Sequence, residues 1–284
     1  MTFARPGVRN NLAKVRRRER GVIMTYPGLR FGNLLYFALQ AHVRSRPGRP
    51  VMCLSTIGGE ELASLTRLTP LFLDGTALRW TDERIHPPTH FFQDFGRDFT
   101  AEDLAGFLDQ RVLSGLPEVA HPGGPDGITI NVRRGDYYSV PDVRCNYGVD
   151  VPAYVRGALH RQIEIGGRAS SVHVVSDDPQ WCRDHLGWLT EYVDAVTFSD
   201  GGAGAMADFV QVATSRRLIL TNSTFSYWAG YVSNRIHGSN PTNVVVPQVH
   251  AWATNEGRAW QHDPGWSVVP AVPVDADPGS PPVG

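Results

Sequence analysis

The 284-residue sequence lacks the features that mark several special classes of protein. Its three cysteines, Cys53, Cys145 and Cys182, are far apart and form no Cys-x-x-Cys pair, so we predict neither a disulfide framework nor a structural zinc site. No run approaches the roughly 18 apolar residues of a membrane-spanning helix, and the first residues lack the apolar core of a secretory signal. These absences predict an intracellular, cytoplasmic protein.

Charge of either sign is scarce as well, at 19% of residues, whereas 42% are hydrophobic. This balance excludes a disordered or fibrous chain and is typical of a globular protein, and the length suits two domains. Residues 1–20 hold seven basic side chains and one acidic one, which leaves 20 basic and 27 acidic residues in the rest. Because the body is acidic, we predict no nucleic-acid partner. The basic tail is either solvated or contacts an anionic membrane surface.

Short apolar runs of strand type alternate with helical patterns along most of the chain. In the second half, strands are predicted at 128–132, 171–175, 193–198, 217–221 and 244–246, with helices between them. Such alternation predicts an α/β fold with parallel, doubly wound sheets. A cluster of turn-forming residues at 121–127 predicts a domain border. We therefore expect a basic tail at 1–21, domains at 22–122 and 127–260, and a Pro-rich tail at 261–284.

The first candidate motif follows the strand at 128–132, where Arg133 and Arg134 precede Gly135 and Asp136. Ligands of open α/β sheets bind beyond the carboxyl ends of the strands. Two adjacent guanidinium groups at such an end suit a diphosphate, because arginine offers a fixed fork of donors to phosphate oxygens. The alternative is that the arginines only pair with carboxylates such as that of Asp136.

Two further motifs also follow predicted strands. Ser176 and Asp177 precede Asp178 and Pro179, so they either cap a helix or bring a hydroxyl and a carboxylate to a ribose or base. Residues 222–226, Asn-Ser-Thr-Phe-Ser, open a helix whose hydroxyl and N–H groups can bind phosphate oxygens, although serine and threonine also serve as plain caps.

Metal ligation has little support in the sequence. The histidines have no ligand spacing, and the one Asp-x-Asp, at Asp275 and Asp277, falls in the Pro-rich tail. No Walker loop, Gly-x-Ser-x-Gly or His-Glu-x-x-His is present. We expect no metal and no bound cofactor.

In chain order these motifs resemble those of the α-1,2-fucosyltransferases of glycosyltransferase family 11. The family motif His-Val-Arg-Arg-Gly-Asp-Tyr is similar to residues 131–137, with Asn131 in place of His. Its strand followed by Trp-Cys resembles 174–182, and its Asn-Ser-Thr-Phe-Ser-Trp-Trp-Ala resembles 222–229 with Tyr227 for the first Trp. Its Gly-x-x-Gly-Asn-Gln resembles 28–34, with one extra residue between the glycines and Leu34 for Gln. The resemblance spans about residues 22–250.

The resemblance implies a GT-B architecture of two facing Rossmann-like domains, the first on the acceptor side and the second binding the donor. It implies GDP-fucose as donor, inversion at the sugar carbon and no metal. Arg133 would contact the β-phosphate and Asp208 the guanine. The implied donor-binding residues are Gly32, Asn33, Asn131, Arg133, Arg134, Ser176, Asp177, Asp208, Asn222, Ser223, Thr224, Phe225 and Ser226.

The implied reaction builds positive charge on the sugar and negative charge on the leaving diphosphate, which Arg133 would stabilise. The acceptor, a glycan or glycoconjugate, must lose a proton, and we expect Asp136 to be the base. Asp136 could instead orient the arginines, with Glu60 or Asp94 as the base. The departures at Asn131 and Leu34 leave open another GDP-sugar as donor, and a catalytically silent nucleotide- or glycan-binding protein is a further alternative.

Overall fold

The structure, a computed structural model, describes residues 20–55, 65–116, 124, 126–202, 204–238 and 240–274. It divides into two compact units whose border lies between Gly115 and Leu116. Most of the predicted basic tail, residues 1–19, and the Asp275 and Asp277 pair lie outside the described residues. Within those residues, no helix is long and apolar enough to cross a membrane.

The first unit is built on a parallel four-stranded sheet of order β3-β2-β1-β4. Its strands and helices are β1 (Gly21–Ile23), α1 (Phe31–Arg44), β2 (Val51–Leu54), β3 (Phe72–Leu73), β4 (Glu83–Ile85) and α2 (Ala101–Phe107). The sequence did not indicate β3 and β4, because β3 has two residues and β4 begins Glu-Arg. The spacing of Leu62, Leu65, Leu68 and Leu71 predicts a helix. That prediction is wrong in its described part, from residue 65, where Pro70 lies in a single 3₁₀ turn, Thr69–Leu71.

The second unit contains a parallel six-stranded sheet of order β10-β9-β8-β5-β6-β7. Its strands are β5 (Ile128–Val132), β6 (Ser171–Ser176), β7 (Ala195–Phe198), β8 (Arg217–Leu220), β9 (Val244–Pro247) and β10 (Ser267–Val269). Its helices are α3 (Gly135–Ser139), α4 (Pro141–Tyr147), α5 (Val151–Gly166), α6 (Pro179–His185), α7 (Ala205–Ala213) and α8 (Thr224–Ile236). The predicted α/β class with parallel sheets is confirmed.

The strand order places a switch point between β5 and β8. The chain runs from β5 outward to β6 and β7, and then returns to β8 on the opposite side of β5. Helices that follow β5 and β8 therefore cover opposite faces of the sheet, and a crevice opens where the two connections part. Within α5, the hydroxyl of Tyr154 donates to the Leu220 carbonyl at 2.7 Å, which fixes the carboxyl end of β8 at this crevice.

The expectation of a tail from residue 261 is wrong for its described part. Residues 267–269 form β10, whose register on β9 pairs Ser267 with Val245 and Val269 with Pro247. Trp266, 5% exposed, packs against α8, where a Cβ on Gly230 would lie 2.9 Å from the indole. The prolines of this segment flank the strand, so they remove no ladder hydrogen bond within it.

Candidate functional site

The connections after β5 and β8 are joined by hydrogen bonds at the switch point. The Arg133 N–H donates to Thr221 Oγ1 at 2.9 Å, and the Thr221 N–H donates to the Asn131 carbonyl at 3.1 Å. These bonds extend the pairing of the two strands beyond their last registered residues. The arginine motif and the start of α8 are therefore neighbours.

Arg133 lies between two carboxylates. Its guanidinium Nη2 is 2.5 Å from Asp136 Oδ1, and its Nη1 is 2.7 Å from Asp177 Oδ2. Burial lowers the pKa of Arg133, but the carboxylates of Asp177 and Asp136 outweigh it, so the pKa stays above its ordinary value. The predicted base Asp136 is thus an ion-pair partner of Arg133 in this structure.

Asp177 organises the loop that carries the arginines. Its Oδ1 accepts the Arg134 N–H at 2.7 Å while its Oδ2 contacts the Arg133 guanidinium. Gly135 follows with φ +26°, and a Cβ there would lie 2.7 Å from Asp177 Oδ2. Glycine is required at this position because any side chain would strain the backbone and displace the carboxylate.

Arg134 is held by aromatic rings. Its guanidinium carbon lies 3.7 Å from the Tyr138 ring centroid and 3.9 Å from that of Trp181. Trp181 in turn stacks on His185 at 4.3 Å, and the Tyr138 hydroxyl donates to the Val149 carbonyl at 2.7 Å. Asp178 Oδ2 lies 3.9 Å from Arg134 Nε. Two π faces orient this cation without neutralising its charge. These contacts of Tyr138 and Trp181 with Arg134 were not predicted from the sequence.

The motif at 176–179 divides between the two interpretations given above. Asp178 Oδ1 accepts the Trp181 N–H at 3.2 Å, so Asp178 caps α6, while Ser176 Oγ accepts the Asp178 N–H at 3.0 Å in the turn before the helix. Asp177 instead bonds to the arginine loop. The capping interpretation is therefore correct for Asp178.

Helix α8 begins at the switch point. Its first turn carries no acidic residue, and the hydroxyl of the preceding Ser223 does not cap it. The first N–H groups of a helix have no partner within it, and together with the helix dipole they bind anions. Ser223 is buried, whereas Thr224 and Phe225 are partly exposed.

Three polar residues of the predicted donor site make hydrogen bonds inside the protein. Asn131 Oδ1 accepts from Ser226 Oγ at 2.6 Å, and its Nδ2 donates to the Val175 carbonyl at 3.1 Å. Asn222 Nδ2 donates to the carbonyls of Tyr147 and His250 at 2.8 and 2.9 Å. These amides join β5, β6 and α8 to each other and to the segment around residue 250.

Asp208 lies in the first turn of α7, next to Phe209, whose ring packs edge-on against Phe225 at 5.5 Å. Its Oδ1 is buried and accepts no hydrogen bond from the described residues. Burial, with help from the charges of Asp200 and Asp177, raises the pKa of Asp208 to about 6. A ligand that donates a hydrogen bond to such a carboxylate stabilises its charge, because it replaces the water lost on burial.

The first unit holds the other predicted residues. Gly32 is buried in the first turn of α1, and Asn33 Oδ1 accepts from Gln93 Nε2 at 2.9 Å. Of the alternative bases, Asp94 lies 3.9 Å from Arg97 and Glu60 lies outside the described residues. Among the residues that the structure describes, no group of three or more His, Cys, Asp and Glu side chains could hold a metal ion.

Comparison with known proteins gives matches over much of the chain. The family model described as Glycosyl transferase family 11 matches residues 89–254, which is more than half of the chain. Galactoside alpha-(1,2)-fucosyltransferase 1 of Homo sapiens is 31% identical over 177 residues, covering 61% of this chain and 46% of that protein. The Bos taurus protein of the same name is 30% identical over 146 residues, covering 51% and 40%.

Galactoside alpha-(1,2)-fucosyltransferase 2 of Gorilla gorilla gorilla is 32% identical over 148 residues, covering 51% of this chain and 41% of that protein. The chain thus spans less than half the length of these relatives. Among solved structures, E. coli ADP-heptose lps heptosyltransferase II superposes with a TM-score of 0.44 and 9% identity, over 88% of this chain and 90% of that one.

Proposed function

The chain belongs to glycosyl transferase family 11, and from this premise we propose that it transfers L-fucose from GDP-fucose to a galactoside, at the 2-hydroxyl, in a glycan or glycoconjugate. The observation that carries the proposal is the switch point of the second unit. There the loop that carries Arg133 and Arg134 and the N-terminus of α8 follow the adjacent strands β5 and β8, and the first turn of α8 holds no acidic residue. Guanidinium forks and helix N–H groups are the two devices by which proteins bind diphosphates without a metal.

The diphosphate would contact both arginines and the first turn of α8, at Thr224 and Phe225. Asn131, Asn222 and Ser226 would support this surface through their internal hydrogen bonds. The guanine would lie at Asp208, because N1–H and the exocyclic amino group of guanine are two parallel donors that match a carboxylate. The unsatisfied Oδ1 of Asp208 supports this assignment.

The proposed reaction forms a bond between the acceptor oxygen and C1 of fucose on the face opposite the leaving group, so the configuration at C1 inverts. The bond from C1 to the β-phosphate oxygen breaks, and its electron pair leaves with GDP. Arg133, Arg134 and the α8 dipole stabilise the negative charge that develops on the diphosphate, which is the work a metal ion does in other transferases.

The acceptor proton would pass to Asp136. In the structure described here an oxygen of Asp136 is engaged by the Arg133 guanidinium. A bound diphosphate competes for the same guanidinium and would release Asp136, so that the base becomes available only when the donor is present. If Asp136 only orients Arg133, its loss weakens donor binding and leaves the pH dependence of turnover unchanged.

The experiment is incubation of the protein with GDP-fucose and a β-galactoside, without metal, followed by NMR analysis of the product. We expect an α-1,2-linked fucoside. Asp136→Asn should lower kcat by about 10²–10⁴-fold and remove the acidic limb of the pH profile. A raised KM for GDP-fucose with an unchanged pH profile would instead assign Asp136 to positioning. In parallel incubations, transfer from GDP-mannose but not from GDP-fucose would refute the proposed donor. GDP binding without transfer from either would refute the proposed activity.

A further inference from the structure

The first unit has a switch point of its own, between β1 and β4. The chain leaves β1 for β2 and β3 on one side and returns to β4 on the other, and the Met24 N–H donates to the Ile85 carbonyl at 2.9 Å where the two strands end. The connections that start here carry Tyr26 and Phe91. Ligands of such sheets bind where these connections part.

Tyr26 and Phe91 form an aromatic pair at this place. Their ring centroids are 6.1 Å apart and their planes are inclined by 59°, which leaves an angle between the two rings. Tyr26 is 44% exposed, and Phe91 is partly exposed. The next residue, Phe92, is buried at 3% exposure, and its ring packs edge-on against Phe37 with 5.8 Å between the ring centroids. Residue 92 is therefore core. Phe91 also contacts Phe37, at 6.1 Å between ring centroids, but both it and Tyr26 keep ring surface in contact with solvent.

The backbone that presents Phe91 is strained. Phe91 has φ +51° and Phe92 has φ +59°, a region that favours glycine and is unfavourable for a bulky residue. The surrounding loop is braced, since His90 Nε2 lies 2.7 Å from Asp98 Oδ2, and Gln93 bonds to Asn33. A fold that keeps two phenylalanines in a glycine conformation fixes Phe91 beside Tyr26 at an energetic cost. Such strain clusters at ligand sites.

We propose that Tyr26 and Phe91 are the stacking platform for the galactose ring of the acceptor. One face of galactose carries the hydrogens of C3, C4 and C5 and no hydroxyl, so it packs on aromatic rings, while the hydroxyls point away. Two inclined and preformed rings hold such a face with little loss of side-chain entropy. This inference rests on the proposed function for the name of the sugar, and it places the acceptor sugar on the first unit.

The test compares Tyr26→Ala and Phe91→Gly with Trp80→Ala. Glycine at 91 removes the ring and suits the positive φ, so the turn is kept. Trp80 is a matched control, because it is an aromatic residue of the same unit with 77% exposure that lies outside both connections. Binding of methyl β-galactoside is followed by saturation-transfer NMR, and GDP binding by calorimetry in the same samples.

We expect saturation of the H3, H4 and H5 protons of the galactoside in the wild type and in Trp80→Ala, and its loss in the two platform variants. In transfer assays the KM for the galactoside should rise about five- to tenfold in each platform variant, at unchanged GDP affinity. The platform is refuted if the wild type does not bind the galactoside, or if the saturation signal is lost in Trp80→Ala to the same extent as in the platform variants. Failure of GDP binding in the wild type refutes the proposed function, whatever the galactoside does.

Discussion

The half-buried charge of Asp208 has two consequences: the carboxylate is proposed to bind guanine, and it lowers the stability of the protein without ligand. Replacing Asp208 by asparagine tests both. Burial first, and the charges of Asp200 and Asp177 second, raise the pKa of Asp208 from 3.8 to about 6. A pKa difference of about two corresponds to roughly 3 kcal/mol at full strength. Solvent screening and loss of the favourable interaction with the α7 N-terminus reduce the expected gain of Asp208→Asn to about 1–2 kcal/mol.

The direction in which the stability of the protein changes with pH follows from the raised pKa of Asp208. Between pH 3.8 and about 6 the folded protein retains a proton on Asp208 that the unfolded chain has lost, so stability falls as pH rises through this range. The penalty is absent below the range and complete above it. Urea unfolding should therefore find Asp208→Asn more stable than wild type at pH 7.5 and about equal to it near pH 4. A gain that is the same at both pH values, or a loss at pH 7.5, would refute the reasoning.

The same variant should lose guanine recognition. A charged acceptor for the guanine donors contributes on the order of tenfold to hundredfold in affinity. Calorimetry should find that wild type prefers GDP to IDP, which lacks the exocyclic amino group, and that Asp208→Asn binds both equally and weakly. In wild type, GDP affinity should fall as pH drops below about 6, because protonation removes the acceptor charge. An unchanged preference for GDP in the variant contradicts the assignment of Asp208.

Three further substitutions test the architecture of the second unit. Gly135→Ala should lower GDP affinity at least tenfold in calorimetry, because the new Cβ would lie 2.7 Å from a carboxylate oxygen at φ +26°. Asn222→Ala leaves two main-chain carbonyls without their donor, so urea unfolding should find a loss of about 2–4 kcal/mol. Gly230→Ala places a methyl group 2.9 Å from Trp266, so thermal unfolding should find the free energy of unfolding lowered by about 1–3 kcal/mol. In the control Gly187→Ala the new methyl group has no atom within 4 Å, so stability should change little.

The sheet of the second unit was largely predictable. Strand β5, predicted at 128–132, spans Ile128–Val132, because a buried strand of a parallel sheet is a continuous apolar run between turn signals. Strand β10 was missed for the opposite reason. Its three residues are surrounded by Pro264, Pro270 and Pro273, and only the pairing with β9 makes them a strand. Short edge strands depend on tertiary contacts that local patterns do not contain.

At the site, the sequence indicated the arginines and one partner, Asp136, but not the contacts with Asp177 and Trp181. Asp177 lies 44 residues after Arg133 and reaches it because the register of β5 and β6 pairs Val132 with Ser176. The cation–π contacts of Arg134 with Trp181 likewise depend on where α6 follows β6. The amides of Asn131 and Asn222 were predicted to bind donor, yet their hydrogen bonds go to neighbouring segments. Side chains at a strand end can serve either role, and only the fold decides between them.

The most direct test of the account is calorimetric titration of GDP and GDP-fucose into the wild type and the Arg133→Ala variant, without metal and then with magnesium. The account predicts micromolar binding of both ligands that needs no magnesium and is lost, by roughly a hundredfold, in the variant. Binding that is unchanged by the variant, or that appears only with magnesium, would contradict a donor site built from Arg133 at the β5–β8 switch point.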